Sequence, residues 1–337
     1  MGLGSFKTAW QRQTKDFGHD QASRYTCLIL DNRGMGESDK PWMRYSTSEM
    51  AKDIFEVLDY LGWTDERQLH IIGISMGGMI AQELVWPIHL PLYNIWAAVN
   101  PIVQALLIPE RIASLTLLST AARIINTVVR PLLSPSVRSH PKPDIAPRAS
   151  SKTYETASTS CPLPLTPHLV PLNRTKANSS RPGSLPKDPD IQLAEMKARL
   201  FSPAWLAAPD ANGAFPTNGD RFAAQELRKR QDTQWFTRTG FTLQAIAAGW
   251  HHKSAGQLKE LADRVGRARV QVVHGDVDQM ITVPHAEVLV RELGGEEGVV
   301  TRVVFEGRGH VLPMEEREEF RRLVEGFVDR AEKLGGR

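Results

Sequence analysis

Five short apolar runs rich in β-branched residues predict the strands of a sheet. They are residues 25–31 (YTCLILD), 68–72 (QLHII), 113–118 (ASLTLL), 269–273 (RVQVV) and 301–305 (TRVVF). Each run is short and is followed by residues typical of turns, a pattern that favours a buried strand.

Amphipathic segments that predict helices alternate with these runs. Ser46 and Glu49 have the spacing of a capping box, and the apolar residues that follow fall on one helical face up to Gly62. A second such segment, 314–334, closes the chain. Strands that alternate with helices predict an α/β fold, with a mostly parallel sheet covered by helices on both faces.

Two segments interrupt the alternation. Residues 84–109 carry no Asp, Glu, Lys or Arg, but Pro87, Pro91 and Pro101 together with His89 and Asn100 disfavour a membrane span. Removing 85–104 would join a helix directly to a strand, so we interpret those residues as an apolar insert, either translated non-coding sequence or an atypical surface loop. Residues 131–190 hold twelve of the 22 prolines and are expected to be disordered.

These boundaries predict four parts of the chain. Residues 1–130 and 263–337 form the two parts of an α/β core, 131–190 is the Pro/Ser/Thr-rich segment, and 191–262 is a helical cap. The cap is expected because helical patterning resumes at Ile191 and continues through 222–227 and 240–250.

Composition and charge exclude several classes of protein. With 41% hydrophobic and 23% charged residues, the 337-residue chain is expected to be globular. A net charge of +3, without a basic face, argues against a nucleic-acid partner. Only Cys27 and Cys161 are present and the first residues do not resemble a signal peptide, so we expect a cytoplasmic location.

The sequence Gly73-Ile74-Ser75-Met76-Gly77-Gly78 lies between a predicted strand and a predicted helix. A serine at the apex of such a turn needs small residues two positions away on either side, because a Cβ there would collide with the turn. The first amides of the following helix would face a developing oxyanion. This context makes Ser75 the candidate nucleophile.

A serine hydroxyl needs a base and an orienting acid. His310 is the strongest candidate for the base, because it lies in a glycine-flanked loop after the last strand. Asp276 and Asp278, in the loop after the preceding strand, both remain candidates for the acid. The chain order is then Ser, Asp, His. We interpret His274, at the end of a strand, as structural.

The chain resembles the α/β-hydrolase fold superfamily, in the branch of serine esterases, lactonases and cofactor-free haloperoxidase-like proteins. The resemblance is carried by GISMGG, LDNRGMGESDKP, LQAIAAGWHH, HGDVDQMITVPH and GRGHVLPME. It implies that Asp278, three residues after Gly275, is the acid rather than Asp276, and that His310 is the base. Serine at position 75 argues against relatives with an aspartate nucleophile, such as epoxide hydrolases.

The resemblance also implies an oxyanion hole formed by the amides of Met76 and Leu3. Residues 1–4 (MGLG) are similar to the end of the loop that supplies the second amide, with Met1 where a histidine is common. The strands that normally precede this loop would be missing. That absence would leave backbone groups unpaired near residues 25–31 and 68–72, or force those two runs to pair with each other.

The resulting hypothesis is a serine hydrolase that uses Ser75, His310 and Asp278 on a carboxylic ester, lactone or thioester of a small molecule. No cofactor or metal is expected, a membrane is not expected as a partner, and the oligomeric state is left open. The substrate-binding residues are predicted to come from the cap: Trp235, Phe236, Trp250 and His251, with core packing as an alternative role for the aromatic rings. The alternative hypothesis is a catalytically impaired or non-enzymatic α/β-hydrolase fragment.

Overall fold

The structure is a computed structural model that describes residues 1–85, 109–124, 188–295 and 300–335. All of them except Asp188 belong to one of the two compact units of the chain, made of Met1–Leu133 and Pro189–Arg337. The insert predicted at 85–104, apart from Val85, and most of the segment predicted to be disordered at 131–190 lie outside the described residues. Both therefore remain predictions.

Four parallel strands form the sheet, in the spatial order in which they occur in the chain. They are β1 (Leu69–Ile74), β2 (Ile112–Leu118), β3 (Val270–Gly275) and β4 (Thr301–Phe305). Leu117 of β2 pairs with Gly73 on one side and with Val272 on the other, and Val273 pairs with Val303. Four of the five predicted strands are therefore confirmed.

The strand predicted at residues 25–31 is wrong. This run pairs with no strand among the described residues, and Cys27 is exposed. The pattern detects apolar, β-branched residues, whereas a strand also requires a neighbour that pairs with its backbone amides and carbonyls. No described segment supplies that neighbour, so the run remains irregular.

Helices cover the sheet and form the cap. The first helical segment is α1 (Gln11–Gln13) between a 3₁₀ turn, Lys7–Trp10, and a π-helical turn, Thr14–His19. The core helices are α2 (Thr47–Tyr60), α3 (Met76–Leu84), α8 (Ala255–Val265), α9 (Val283–Glu292), α10 (Leu312–Glu315) and α11 (Arg317–Leu334). The cap helices are α4 (Pro189–Leu200), α5 (Pro203–Ala207), α6 (Asn218–Gln231) and α7 (Arg238–Trp250), and short 3₁₀ turns lead into β2 and β3.

Side chains on alternate positions of the strands build two separate cores. Leu117 and Val272 belong to the cluster that includes Met79 and Leu289 of α3 and α9. The next residues along the same two strands, Leu118 and Val273, belong to the other cluster, with Phe320 and Val324 of α11. Successive side chains of a strand point to opposite faces, so both faces of the sheet are covered.

Two helix predictions can be compared directly with the structure. Ser46 caps α2, where its hydroxyl accepts a hydrogen bond from the Glu49 amide at 3.1 Å, as its spacing predicted. The single helix predicted at 314–334 is instead α10 and α11. The two are separated at Glu316, which has a non-helical backbone (φ −134°, ψ 64°) and forms an ion pair with Arg308. None of the described helices is both long and apolar enough to cross a bilayer.

Candidate active site

Ser75 lies at the sharp turn between β1 and α3, with φ 57° and ψ −121°. Positive φ is uncommon for a non-glycine residue and costs free energy unless the surrounding structure holds it. Here the Ser75 amide donates to Leu118 O at 2.9 Å, and its carbonyl accepts from Thr120 Oγ1 at 2.7 Å. These contacts tie the strained turn to the end of β2.

Small residues on either side of Ser75 permit this turn. A Cβ added to Gly73 would lie 2.3 Å from Gly77 O, and one added to Gly78 would lie 2.6 Å from the Cβ of Thr120. Neither position can accept a side chain without a shift of the backbone or of Thr120. Of the two positions that the sequence argument concerned, Gly73 is therefore closed by the turn itself, whereas a Cβ added to Gly77 would lie 2.8 Å from Met1 N.

Asp278 and His310 are in direct contact. His310 Nδ1 lies 2.7 Å from Asp278 Oδ2, and both side chains are buried. If Nδ1 carries the proton and donates it to the carboxylate, Nε2 of the neutral imidazole is left as a proton acceptor. Asp278 follows β3, His310 follows β4 and Ser75 follows β1, so all three lie at the carboxyl ends of parallel strands.

No hydrogen bond joins Ser75 Oγ and His310 among the described residues. In ligand-free structures, catalytic hydrogen bonds are often long and tighten only when substrate binds. The structure thus brings two of the three predicted residues into contact and places the third at the same edge of the sheet.

The alternative acid, Asp276, has a different role. It is exposed, and its Oδ1 accepts a hydrogen bond from the Gly307 amide at 2.6 Å. Asp278 instead is 1% exposed, and its other carboxylate oxygen, Oδ1, accepts from the amides of Met280 at 2.7 Å and Ile281 at 3.0 Å. The geometry therefore selects Asp278 as the partner of His310.

His274, which we interpreted as structural, also contacts Asp278. Its Nε2 lies 2.6 Å from Ile281 O and 3.3 Å from Asp278 Oδ2. Burial by itself would raise the pKa of Asp278, but hydrogen bonds from His274 and His310 outweigh it and lower the pKa to about 2. The four-residue spacing of His274 and Asp278 was the available sequence signal for this contact.

The two amides predicted for the oxyanion hole belong to segments that meet at Ser75. Met76 is the first residue of α3. The Leu3 amide follows Gly2, whose Cα is so close to Ser75 that an added Cβ would lie 3.8 Å from Ser75 Oγ. Neither amide donates to a protein acceptor among the described residues, and their role as an oxyanion hole remains a prediction.

Gln244 of α7 holds the Leu3 segment in place, a role that sequence reasoning missed. Its Oε1 accepts from the Gly4 amide at 2.9 Å, and its Nε2 donates to Arg33 O at 3.0 Å. The side chain is fully buried. The available sequence signal for this role was the polar side chain of Gln244 among the apolar residues of α7.

Of the cap aromatics, Trp235 and Phe236 lie beside the segment that contacts Ser75. The ring of Trp235 meets that of Phe6 edge-to-face, with centroids 5.9 Å apart. Phe236 lies 5.8 Å from Phe241, whose ring is so close to Gly4 that an added Cβ would contact it at 2.7 Å. Both predicted residues are therefore placed near the Leu3 segment.

Trp250 and His251 have different surroundings. Trp250 is 68% exposed, and the Arg44 guanidinium lies 4.6 Å from its ring centroid. His251 is buried, with Nδ1 3.0 Å from Thr47 Oγ1 and 3.4 Å from Glu83 Oε1. Burial lowers the pKa of His251. No contact links either residue to Ser75, and their role in substrate binding remains a prediction.

Across residues 1–85, 109–124, 188–295 and 300–335, no group of three or more His, Cys, Asp or Glu side chains is arranged to hold a metal ion. A cavity lined by Arg67, Arg269 and Glu332 lies at the amino ends of the strands, at the opposite edge of the sheet from Ser75.

Comparisons with known proteins show the family of the chain. Residues 2–323 match the alpha/beta hydrolase family. An uncharacterized protein of Mycobacterium tuberculosis is 24% identical over 335 residues, which cover 98% of this chain and 74% of that protein.

Solved structures have the same fold. A serine hydrolase from Cycloclasticus zankles superposes with a TM-score of 0.57 at 17% identity, covering 97% of this chain and 87% of that one. An esterase from Thermogutta terrifontis superposes with a TM-score of 0.54 at 17% identity, covering 98% and 88%. With nearly the whole sequence matched to one family model, the chain belongs to the alpha/beta hydrolase family.

Proposed function

We propose that this protein is a serine hydrolase that cleaves a carboxylic ester, lactone or thioester of a small molecule. Membership of the alpha/beta hydrolase family supports a hydrolase. The observation that carries the finer proposal is the 2.7 Å contact between His310 Nδ1 and Asp278 Oδ2, at the sheet edge that also carries Ser75. A neutral imidazole oriented in this way can remove the proton from a serine hydroxyl.

In the proposed mechanism, Ser75 Oγ attacks the substrate carbonyl carbon while His310 Nε2 takes the hydroxyl proton. The Leu3 and Met76 amides donate to the oxygen on which negative charge develops. His310 then protonates the leaving group, and an acyl-Ser75 ester remains. The leaving group departs as an alcohol or thiol, or stays tethered to the acyl chain as a hydroxyl when the substrate is a lactone. Water activated by His310 hydrolyses that ester, and the acid product leaves with Ser75 restored.

Asp278 keeps the His310 imidazole in the tautomer that this cycle needs and stabilises the imidazolium. Its low pKa keeps it ionised throughout the neutral range. Trp235 and Phe236 supply apolar surface next to the Leu3 segment, which suits the acyl chain of a small substrate.

Serine as the nucleophile favours acyl transfer over the epoxide opening suggested by some relatives. Mouse epoxide hydrolase 4 is 37% identical, but over only 82 residues, or 24% of this chain. Of the proteins with the same fold, one is a serine hydrolase and another an esterase.

A fluorophosphonate probe tests the proposal, because it reacts only with an activated serine. We expect it to label the wild-type chain at Ser75 and to spare Ser75→Ala. Ser119→Ala is the matched control: Ser119 directly follows β2, also has positive φ (45°), and its buried hydroxyl has no hydrogen-bond partner among the described residues. Failure to label folded wild-type protein would favour a non-enzymatic member of the family.

The substrate class is tested with the wild type, Ser75→Ala and Ser119→Ala. Hydrolysis of 4-nitrophenyl butyrate, γ-butyrolactone and a butyryl thioester is measured, and the wild type and Ser119→Ala are expected to turn over at least one of them. Equal turnover by Ser75→Ala would assign the reaction to other residues.

A further inference from the structure

The loop that carries His310 is joined to the first residues of the cap by backbone hydrogen bonds. The His310 amide donates to Leu200 O at 2.8 Å, and the Val311 amide donates to the same oxygen at 3.3 Å. Leu200 is the last residue of α4. The backbone of the candidate base is therefore held by the cap rather than by the sheet alone.

Glu315 forms the second part of this connection. Its Oε1 accepts from the Gly309 amide at 2.9 Å, and its Oε2 accepts from Ser202 Oγ at 2.6 Å. The Ser202 amide also lies 3.3 Å from Oε2. One carboxylate thus bridges the residue before His310 and the residue before α5.

The junction is tightly packed. A Cβ added to Gly309 would lie 2.8 Å from both Glu315 Oε1 and Leu200 O, and 2.9 Å from the Cα of Phe201. No side chain fits between the His310 loop and the cap. A shift of either segment must therefore move the other.

Glu315 is a buried charge held mainly by neutral donors. It is 8% exposed. The hydrogen bonds from Ser202 and Gly309 lower the pKa of Glu315, but burial outweighs them, so the pKa is raised above its usual value. Arg308, the nearby cation, forms its ion pair with Glu316 instead. A buried carboxylate costs free energy unless its hydrogen bonds are satisfied, so this group favours the arrangement in which the loop and the cap are both in place.

We propose that Glu315 is a positioning residue that fixes the His310 imidazole against the cap, so that the position of the cap sets the position of the base. The proposal rests on the proposed function, in which His310 is the base. Glu315 takes no part in bond making. It acts by holding Gly309 and Ser202, and through them the loop from which His310 reaches Asp278.

The test compares variants at both ends of the bridge. Glu315→Ala removes both acceptors, whereas Glu315→Gln keeps the shape and one acceptor oxygen. We expect kcat to fall on the order of a hundredfold in Glu315→Ala and about tenfold in Glu315→Gln, with KM unchanged, because small displacements of catalytic groups have effects of this size.

Ser202 is the other end of the bridge. Ser202→Ala should lower kcat, whereas Ser202→Thr, which keeps the hydroxyl, should have a kcat close to that of the wild type. Glu318→Gln, in an exposed ion pair on α11, is the matched control.

A second measurement does not depend on activity. A proton on His310 Nδ1, in the contact with Asp278, is expected to give a far-downfield proton resonance, and its loss in His310→Ala would assign it. In Glu315→Gln we expect this resonance to shift or broaden, and in Glu318→Gln to stay at its wild-type position.

The outcomes separate the two proposals. If the wild type neither reacts with fluorophosphonate nor hydrolyses esters, the proposed function fails, while a shifted resonance in Glu315→Gln still supports the positioning role. If Glu315→Gln lowers the melting temperature but leaves both kcat and the resonance at wild-type values, Glu315 has a structural role only and the positioning proposal is overturned.

Discussion

His274 Nε2 lies 3.3 Å from Asp278 Oδ2, the same oxygen that accepts the hydrogen bond from His310. Hydrogen bonds to a charged group are worth about 1.5–3 kcal/mol, so we expect His274→Leu to lower kcat about tenfold. The loss stays moderate because the amides of Met280 and Ile281 still hold Asp278 Oδ1.

His274→Gln is the matched variant, since its amide can still donate to Asp278, and it should keep most of the activity. Steady-state kinetics on one ester measure kcat for the wild type and both variants. Equal kcat for His274→Leu and the wild type would show that the second histidine does not support the carboxylate.

Gly73 is predicted not to tolerate any side chain. The Cβ of Gly73→Ala would lie 2.3 Å from Gly77 O, so the turn at Ser75 must move. We expect the free energy of unfolding to fall by about 1–3 kcal/mol, the usual cost of overpacking, and fluorophosphonate labelling to be lost.

Gly249→Ala serves as the comparison, because an added Cβ in α7 meets nothing within 4 Å. Replacing glycine inside a helix by alanine stabilises by roughly 0.5–1 kcal/mol, so this variant should gain stability and keep its labelling. Denaturant unfolding followed by labelling measures both quantities. A fully labelled Gly73→Ala would contradict the steric argument.

Glu83 is predicted to make stability depend on pH. Burial by itself would raise its pKa, but the hydrogen bond from His251 and the charge of Lys253, 2.7 Å away, lower it to about 2. A carboxyl whose folded-state pKa is below its unfolded value of 4.5 stabilises the protein above about pH 4.5, and this stabilisation is lost as the pH falls toward 2. The shift corresponds to about 3 kcal/mol.

Glu83→Gln should therefore lower the free energy of unfolding at pH 7 by about 3 kcal/mol, since it also leaves Lys253 buried without that partner. The difference from wild type should shrink between pH 5 and pH 3. Glu287→Gln, in an exposed pair with Arg302, is expected to change stability by less than about 1 kcal/mol. A pH-independent difference for Glu83→Gln would reject the assignment.

Phe236 and Trp250 are predicted to differ in their effect on substrates. Phe236 lies near Gly4 through Phe241, so Phe236→Ala should raise KM for 4-nitrophenyl esters progressively as the acyl chain lengthens. Trp250 is mostly exposed beneath Arg44, and Trp250→Ala should leave KM unchanged for every chain length. A chain-length dependence that follows Trp250 instead would place the acyl site at the other end of α7.

The sequence predicted those parts of the fold and site that depend on local pattern. Ser75 could be found because its turn requires glycines nearby, and four strands could be found because each is a short apolar run. The run at 25–31 has the same pattern, but a strand also depends on a neighbour distant in sequence, which the pattern does not contain.

The contacts of buried polar side chains were the least predictable. His251 looked available for substrate, yet it is buried against Thr47 and Glu83, which are far from it in the sequence. Gln244 likewise contacts Gly4 and Arg33, 240 and 211 residues away in the sequence, through hydrogen bonds that only the assembled fold creates. Residue type and spacing do not encode such long-range pairs.

The ladder from Leu115–Val270 to Leu118–Val273 joins the part of the chain that carries Ser75 to the part that carries Asp278 and His310. A single cut between residues 125 and 187 would leave the nucleophile on one fragment and its acid–base pair on the other, so neither fragment alone would turn over an ester. Activity regained on mixing two such fragments would show that β2 of one fragment had paired again with β3 of the other.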